Sequence, residues 1–232
     1  MAHKRTSMPL EFATGESLTA DLVAIGMRFA TKPSPKEPNI EDSLVAASIE
    51  GIVQDDYRVL SLLVDWFEVH FERVNADRLI KLVQSLKEKR VRAFWAALAQ
   101  SKKQDWRFKR HQKLYAGPRL DLIETGTEFQ IRKNGEDERF AQTVLRVPNK
   151  LLRHRLEDIL SPSELANRNR SYHYRVLIGP SYRADMWAAI ERNPVLTPTE
   201  IARFTYGSFP TAWEVKRDWV ILHNKAQLSI VS

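Results

Sequence analysis

The sequence predicts a mainly α-helical protein with a small antiparallel β-sheet, an α+β fold with helices at both ends of the chain. Two observations predict it. Apolar residues recur every three or four positions through most of residues 39–100 and 148–222, which is typical of amphipathic helices. Between these regions, residues 119–147 alternate apolar and polar side chains, as strands with one buried face do.

The first 38 residues are expected to form an arm followed by a linker. Leu18, Leu22, Ile25 and Phe29 have helical spacing, so one amphipathic helix is possible over residues 16–30. Residues 31–38 are rich in proline, which is typical of an extended linker. We expect a loosely ordered arm of the kind that docks on a partner or a second subunit.

Residues 39–177 form the predicted helical region. Its apolar spacing and the capping residue Asn75 predict helices over residues 40–51, 55–72, 75–86 and from 91 onward. Three strands follow over residues 119–124, 128–133 and 142–147, and we expect an antiparallel meander because short turns separate them. Helices followed by a hairpin also describe a winged-helix domain, so this region could be a variant of that fold.

The last segment, residues 178–232, contains two helix starts close together. A helix over residues 182–192 ends before Pro194, and Thr197 and Glu200 then form a capping box around the next helix start. That helix is short because Gly207, which can adopt the left-handed conformation of a tight turn, follows within three turns. Ser208 caps the second helix.

The second of these helices is amphipathic. Ala212, Val215, Trp219 and Leu222 form its apolar stripe, at intervals of 3, 4 and 3 residues. The polar residues face mostly outward, and they are Ser208, Thr211, Glu214, Lys216 and Arg217.

This C-terminal segment resembles the helix-turn-helix of DNA-binding bacterial regulators. Ile201 and the small Ala202 stand where that family packs its first helix against the second, and Val215 matches a later apolar position. Gly207 falls one place later than the family's glycine, counted from Ala202. The resemblance covers only about the last fifty residues, and it implies double-stranded DNA as a partner and a homodimer.

The resemblance and the charge distribution together predict the DNA-binding residues. On the second helix, Ser208, Thr211, Glu214 and Arg217 would read bases and Lys216 would contact phosphate, with Trp213 on the same face. A basic run would hold the DNA backbone, and its residues are Lys102, Lys103, Arg107, Lys109, Arg110 and Lys113. A formal net charge of +7 favours an acidic partner such as DNA.

Composition and motifs argue against catalysis. The absence of cysteine excludes disulfides and thiol chemistry, and the six histidines lack metal-ligand spacing, so we predict no cofactor and no metal. Phosphate-binding and nucleophile motifs are missing as well, which indicates a protein that is not an enzyme. No apolar stretch is long enough to span a membrane, so we expect a cytoplasmic protein.

The leading interpretation is a sequence-specific transcriptional regulator. A more specific form of this interpretation is a regulator similar to antitoxins, which repress their own operon and also bind a toxin. One alternative is a protein interaction scaffold, which the nearly neutral C-terminal segment permits and an exposed apolar patch around Trp213 would favour. The other is a metal-dependent enzyme acting on nucleic acid, with carboxylates from Asp55, Asp56, Asp121 and Glu128.

Overall fold

The computed structural model of the chain describes residues 9, 11–102 and 104–224. These residues form two compact units, the first over residues 11–162 and the second over residues 163–224. The boundary predicted at residue 178 lies inside the second unit, so residues 163–177 belong with the C-terminal helices. The predicted site residue Lys103 lies outside the described residues.

Most of the described chain is helical, and the sheet is small. The α-helices in chain order are α1 Gly15–Ala24, α2 Ile40–Val53, α3 Tyr57–His70, α4 Ala76–Ser85, α5 Lys89–Ser101, α6 Thr127–Asn134, α7 Pro162–Arg168, α8 Arg170–Ile178, α9 Tyr182–Arg192, α10 Pro198–Phe204 and α11 Phe209–Asn224. The strands are β1 Leu120–Asp121 and β2 Leu145–Arg146.

The core of the first unit lies among α2, α3, α4 and α5. Trp66 and Phe67 of α3 and Phe94 and Trp95 of α5 are buried, and Phe67 meets Trp95 edge to face with ring centroids 5.8 Å apart. The side chain of Asn75 accepts a hydrogen bond from the N–H of Arg78 and caps α4. The four helices predicted for this region are therefore confirmed.

Residues 15–27 belong to this core, where the sequence predicted a loosely ordered arm. Leu18, Leu22 and Ile25 are buried, and α1 packs against α2. The indole N–H of Trp66 donates to the carbonyl of Ile25 at 2.7 Å, which fixes the end of α1 to α3. Burial of the apolar stripe explains the order, since the predicted spacing was that of a helix with a face to cover.

The predicted antiparallel sheet is wrong. β1 and β2 pair in parallel with Leu120 opposite Leu145, and the stretch predicted as the middle strand is α6. The large apolar ring of Phe129 in that stretch is 70% exposed, so this ring is not buried against the sheet. A helix between two strands provides the crossover that a parallel pair needs. The described part of residues 39–177 thus lacks the hairpin that a winged-helix variant requires.

The second unit has a separate core built by α9, α10 and α11. Met186, Ile190, Ile201, Ala212 and Val215 are fully buried in it. The predicted helix over residues 182–192 is α9, and the capping box at the start of α10 is present. One residue of the predicted stripe is not in the core, since Leu222 near the end of α11 is 62% exposed.

Candidate nucleic-acid interface

The turn between α10 and α11 depends on two adjacent residues. Tyr206 has a φ of +56°, so the left-handed residue of the turn is Tyr206, whereas the sequence indicated Gly207. Gly207 lies close to the core, because a Cβ atom there would overlap the terminal methyl of Met186, which would have to move aside. The turn therefore lies tightly against α9.

The N-terminus of α11 is closed by its own hydroxyl groups. The Oγ atom of Ser208 accepts a hydrogen bond from the N–H of Thr211 at 3.2 Å, which confirms Ser208 as the cap. The two hydroxyl oxygens of Ser208 and Thr211 lie 2.6 Å apart. Two of the four predicted base readers, Ser208 and Thr211, are thus engaged in the cap.

The exposed side of α11 carries one row of residues at intervals of four. Phe209, Trp213, Arg217 and Ile221 form this row, which we call the α11 row, and all four side chains are exposed. The guanidinium of Arg217 lies over the indole of Trp213, with its Cζ atom 5.4 Å from the ring centroid. The row lies opposite the buried side of the helix, which holds Ala212 and Val215.

The charges around the α11 row largely neutralise one another. Asp218 accepts hydrogen bonds from Arg217 at 2.9 Å and from Arg183 of α9 at 2.6 Å. The hydrogen bond from Arg217 is the main cause that lowers the pKa of Asp218. Arg183 also lies 3.7 Å from Glu214, and Lys216 donates to the backbone carbonyl of Pro194. Two predicted base readers and the predicted phosphate contact therefore have partners within the unit.

Two members of the predicted basic run are held inside the first unit. Lys102 donates to Glu68 at 2.6 Å and its ammonium lies 4.5 Å from the ring centroid of Phe71. Arg107 forms a two-pronged pair with Asp105, whose pKa it lowers, and also donates to the carbonyl of Glu72 at 2.9 Å. Neither side chain is more than 22% exposed. These cations stabilise the fold of the segment.

The remainder of the described run is open to solvent. Lys109, Arg110 and Lys113 are exposed, and Arg110 has a distant partner in Asp77 at 3.6 Å. Trp106 beside them is 82% exposed, whereas Phe108 is buried. The structure thus reduces the predicted basic run to three exposed cations and one exposed aromatic ring. We call Lys109, Arg110 and Lys113 the basic turn.

The carboxylates considered for catalysis have structural partners. Asp56 caps α3 by accepting from the N–H groups of Arg58 and Val59, and Asp55 accepts from the hydroxyl of Tyr57. Asp121 and Glu128 do come close to each other, but Arg146 lies between them, 3.5 Å from one and 2.6 Å from the other. Among the described residues, no group of three or more acidic, histidine or cysteine side chains is arranged to hold a metal ion.

Sequence reasoning missed three residues of this surface, namely Phe209, Arg183 and Asp218. The first could have been found, since Phe209 precedes Trp213 by one helical repeat of four. The pairing of Arg183 with Asp218 could not have been predicted from the sequence, because the two residues lie on different helices and are 35 positions apart.

Within the described residues, none of the helices combines the length and the apolar character that crossing a bilayer requires.

Comparisons with known proteins find no relative of this chain. The sequence matches no model of a known protein family, and no curated protein or solved structure is significantly similar to it.

Proposed function

We propose that the second unit binds double-stranded DNA through the exposed side of α11 and that the protein acts as a transcriptional regulator. The observation that carries this proposal is the turn between α10 and α11. Counted from Ala202, the glycine of the helix-turn-helix family falls at Tyr206, and Tyr206 has the left-handed conformation. This left-handed residue at the position of the family's glycine supports the proposal, although the glycine of this chain stands at position 207.

The packing of the unit supports the same proposal. In a helix-turn-helix the second helix enters the major groove, and the residues of its N-terminal half contact the base edges. Here Ala212 and Val215 bind α11 to the core, while Trp213, Glu214 and Arg217 on the other side are exposed. That side would face the bases.

The basic turn of the first unit would contribute a separate, sequence-independent contact. Lys109, Arg110 and Lys113 are exposed cations of the kind that neutralise phosphates and release counterions. Such contacts raise affinity for any duplex and do not select a sequence. We propose a homodimer on a two-fold symmetric site, because paired half-sites are the usual way in which this motif gains affinity.

The proposal is tested with the full chain and a pool of random DNA duplexes. Repeated enrichment should yield one sequence that binds at least a thousandfold more tightly than random duplex, as regulators do. Arg217→Ala should weaken that preference by about tenfold, the expected effect of removing one side chain that reads a base. Arg170→Ala on α8, which removes an exposed arginine elsewhere in the same unit, is the matched control. Enrichment that yields no preferred sequence would contradict the proposal.

A specific observation favours a second function, the binding of another protein. Among the described residues, the large apolar side chains with high exposure are concentrated in the second unit, although it is the smaller one. Ten lie in residues 163–224 and four in residues 11–162. Three of the ten are consecutive at the end of α8, namely Val176, Leu177 and Ile178. Such patches are typical of protein interaction sites.

This second function fits the antitoxin subcase, in which one chain holds both an operator and a toxin. We expect the chain, expressed in its natural host, to copurify with one protein in a fixed ratio. Leu177→Ser should abolish the copurification and leave DNA binding unchanged. Equal copurification with the variant would contradict a partner site at the end of α8.

A further inference from the structure

The polar groups on the first turns of α11 are engaged within the protein. The hydroxyls of Ser208 and Thr211 form the helix cap. Glu214 and Arg217 form ion pairs with Arg183 and Asp218. The exposed ion pairs can exchange partners at small cost, but the cap is part of the helix itself. Direct hydrogen bonds from these hydroxyls to bases would therefore compete with the fold.

The large apolar side chains that are exposed on these turns are aromatic. Phe209 is 53% exposed and Trp213 is 50% exposed, on a helix whose other side is fixed in the core. Because they are four residues apart, they stand one above the other, about 6 Å apart along the helix axis. Adjacent base pairs are about 3.4 Å apart, so the two rings span nearly two base-pair steps.

We propose that α11 recognises thymine, with Phe209 and Trp213 contacting thymine methyl groups in the major groove. This inference rests on the proposed function, because it assumes that α11 enters the groove. The methyl group of thymine is the apolar group that the bases present there, while the remaining edges present hydrogen-bond donors and acceptors. An aromatic face matches the methyl group and cannot satisfy the other edges.

Arg217 would position the second of these rings. Its guanidinium lies over the Trp213 indole and is held at its other side by Asp218, at 2.9 Å. The indole is thereby restrained before DNA arrives, which lowers the entropy lost on binding. Phe209 is the first residue of the helix, directly after the Ser208 cap.

The test compares duplexes that differ only in thymine methyl groups. The duplex enriched from the random pool is prepared with thymine and with uracil, which lacks the methyl group and keeps every hydrogen-bonding group. Fluorescence anisotropy of a labelled duplex then gives the dissociation constant of each for the full chain. We expect uracil to weaken binding about fourfold for each contacted methyl group. This comparison uses the unaltered protein, so it does not depend on a variant that folds.

Variants then assign the methyl contacts to residues. Phe209→Ala and Trp213→Ala should each reduce the difference between thymine and uracil duplexes by about fourfold, and the double variant should remove it. Arg170→Ala should keep the full difference. Far-UV circular dichroism and the thermal transition establish that each variant is folded.

The outcomes separate the two proposals. Equal binding of thymine and uracil duplexes, together with a clear preference for the enriched sequence, would overturn thymine recognition and leave the DNA-binding function intact. A chain that prefers no duplex sequence would overturn the proposed function, and thymine recognition with it. A uracil effect that persists unchanged in the double variant would show that other residues contact the methyl groups and would overturn the assignment.

Discussion

Arg175 of α8 donates two hydrogen bonds to Asp185 of α9, from Nε at 2.9 Å and from Nη2 at 3.0 Å. Both side chains are almost fully buried, at 0% and 6% exposure. Two charges removed from water in this way are costly unless each satisfies the other. The pair therefore fixes how α8 meets α9, and α9 carries Met186 and Arg183 to the turn and to the α11 row.

Removal of one member of this pair should destabilise the second unit strongly. We expect Asp185→Asn to cost about 3–5 kcal/mol of unfolding free energy, because it breaks an ion pair between two nearly fully buried side chains. Arg175→Met combined with Asp185→Leu should recover most of the loss, since it removes both charges. Urea unfolding followed by circular dichroism measures these changes. Arg170→Ala is the control, because Arg170 forms an exposed pair 3.9 Å from Glu191, and it should leave the unfolding midpoint nearly unchanged. A loss of stability as large as that of Asp185→Asn would contradict the role of burial.

The turn before α11 gives two opposite expectations for neighbouring residues. Gly207→Ala should destabilise the unit by about 1 kcal/mol, because the added methyl group forces the flexible end of Met186 to shift within a packed core. Tyr206→Gly should cost much less, since it relieves a left-handed conformation that is unfavourable for tyrosine. Thermal unfolding of both variants measures the contrast. A double variant, Gly207→Ala with Met186→Ala, should recover part of the loss; if it does not, the cause is not this overlap.

Asp218 should weaken DNA binding in the natural sequence. Its carboxylate lies beside the proposed interface and holds Arg183 and Arg217. Asp218→Asn removes a negative charge from that surface and its ion pairs with both cations, so we expect affinity for duplex DNA to rise about fivefold at low salt. The gain should shrink as salt increases, because exposed charges are screened. Glu157→Gln, at an exposed carboxylate of the first unit, is the control, and an equal gain there would indicate a general effect of net charge.

The exposed basic turn and the paired, half-buried members of the basic run should behave differently toward DNA. Lys109→Gln or Lys113→Gln should lower the slope of log affinity against log salt by about 0.9 for each phosphate that the variant no longer neutralises. Lys102→Gln should leave the slope unchanged, because Lys102 is already paired with Glu68. Titrations at several salt concentrations measure the slopes. If Lys102→Gln has the same effect as Lys109→Gln, the sorting of this run by exposure is wrong.

Two buried histidines should make the first unit sensitive to mild acid. Burial lowers the pKa of His70 and of His111 from 6.5 to about 4. Below pH 6.5 the unfolded chain binds protons at these positions, whereas the folded chain does not. The free energy of unfolding is therefore highest above pH 6.5 and decreases as the pH falls toward 4. The expected loss is about 1.4 kcal/mol per pH unit for each histidine.

Urea unfolding at several pH values measures this dependence. His111→Phe keeps a ring beside Phe108. It should reduce the slope of unfolding free energy against pH, between pH 6.5 and 4, by the contribution of one histidine. A variant with an unchanged slope would contradict the assignment to His111.

The sequence by itself determined most of the helices, although not α6. Each depended on local chemistry, as at Asn75, at the Thr197 and Glu200 box and at Ser208, where a side chain caps the helix within three residues. Alternation over residues 119–147 was less reliable, because a strand is defined by its partner and its buried face. At residues 128–133 that face was missing, as the exposed ring of Phe129 shows, and a helix formed instead.

Only the tertiary structure decided which charges are free and which are engaged. In the sequence, Lys102 and Lys109 are equivalent members of one basic run, yet Glu68 pairs with one and leaves the other in water. Arg217 is likewise a base reader by its position in the sequence, whereas in the structure Asp218 and Trp213 surround it. Partners such as Glu68, 34 residues away from Lys102, are brought to a cation only by packing, so which cations stay exposed cannot be read from residue type alone.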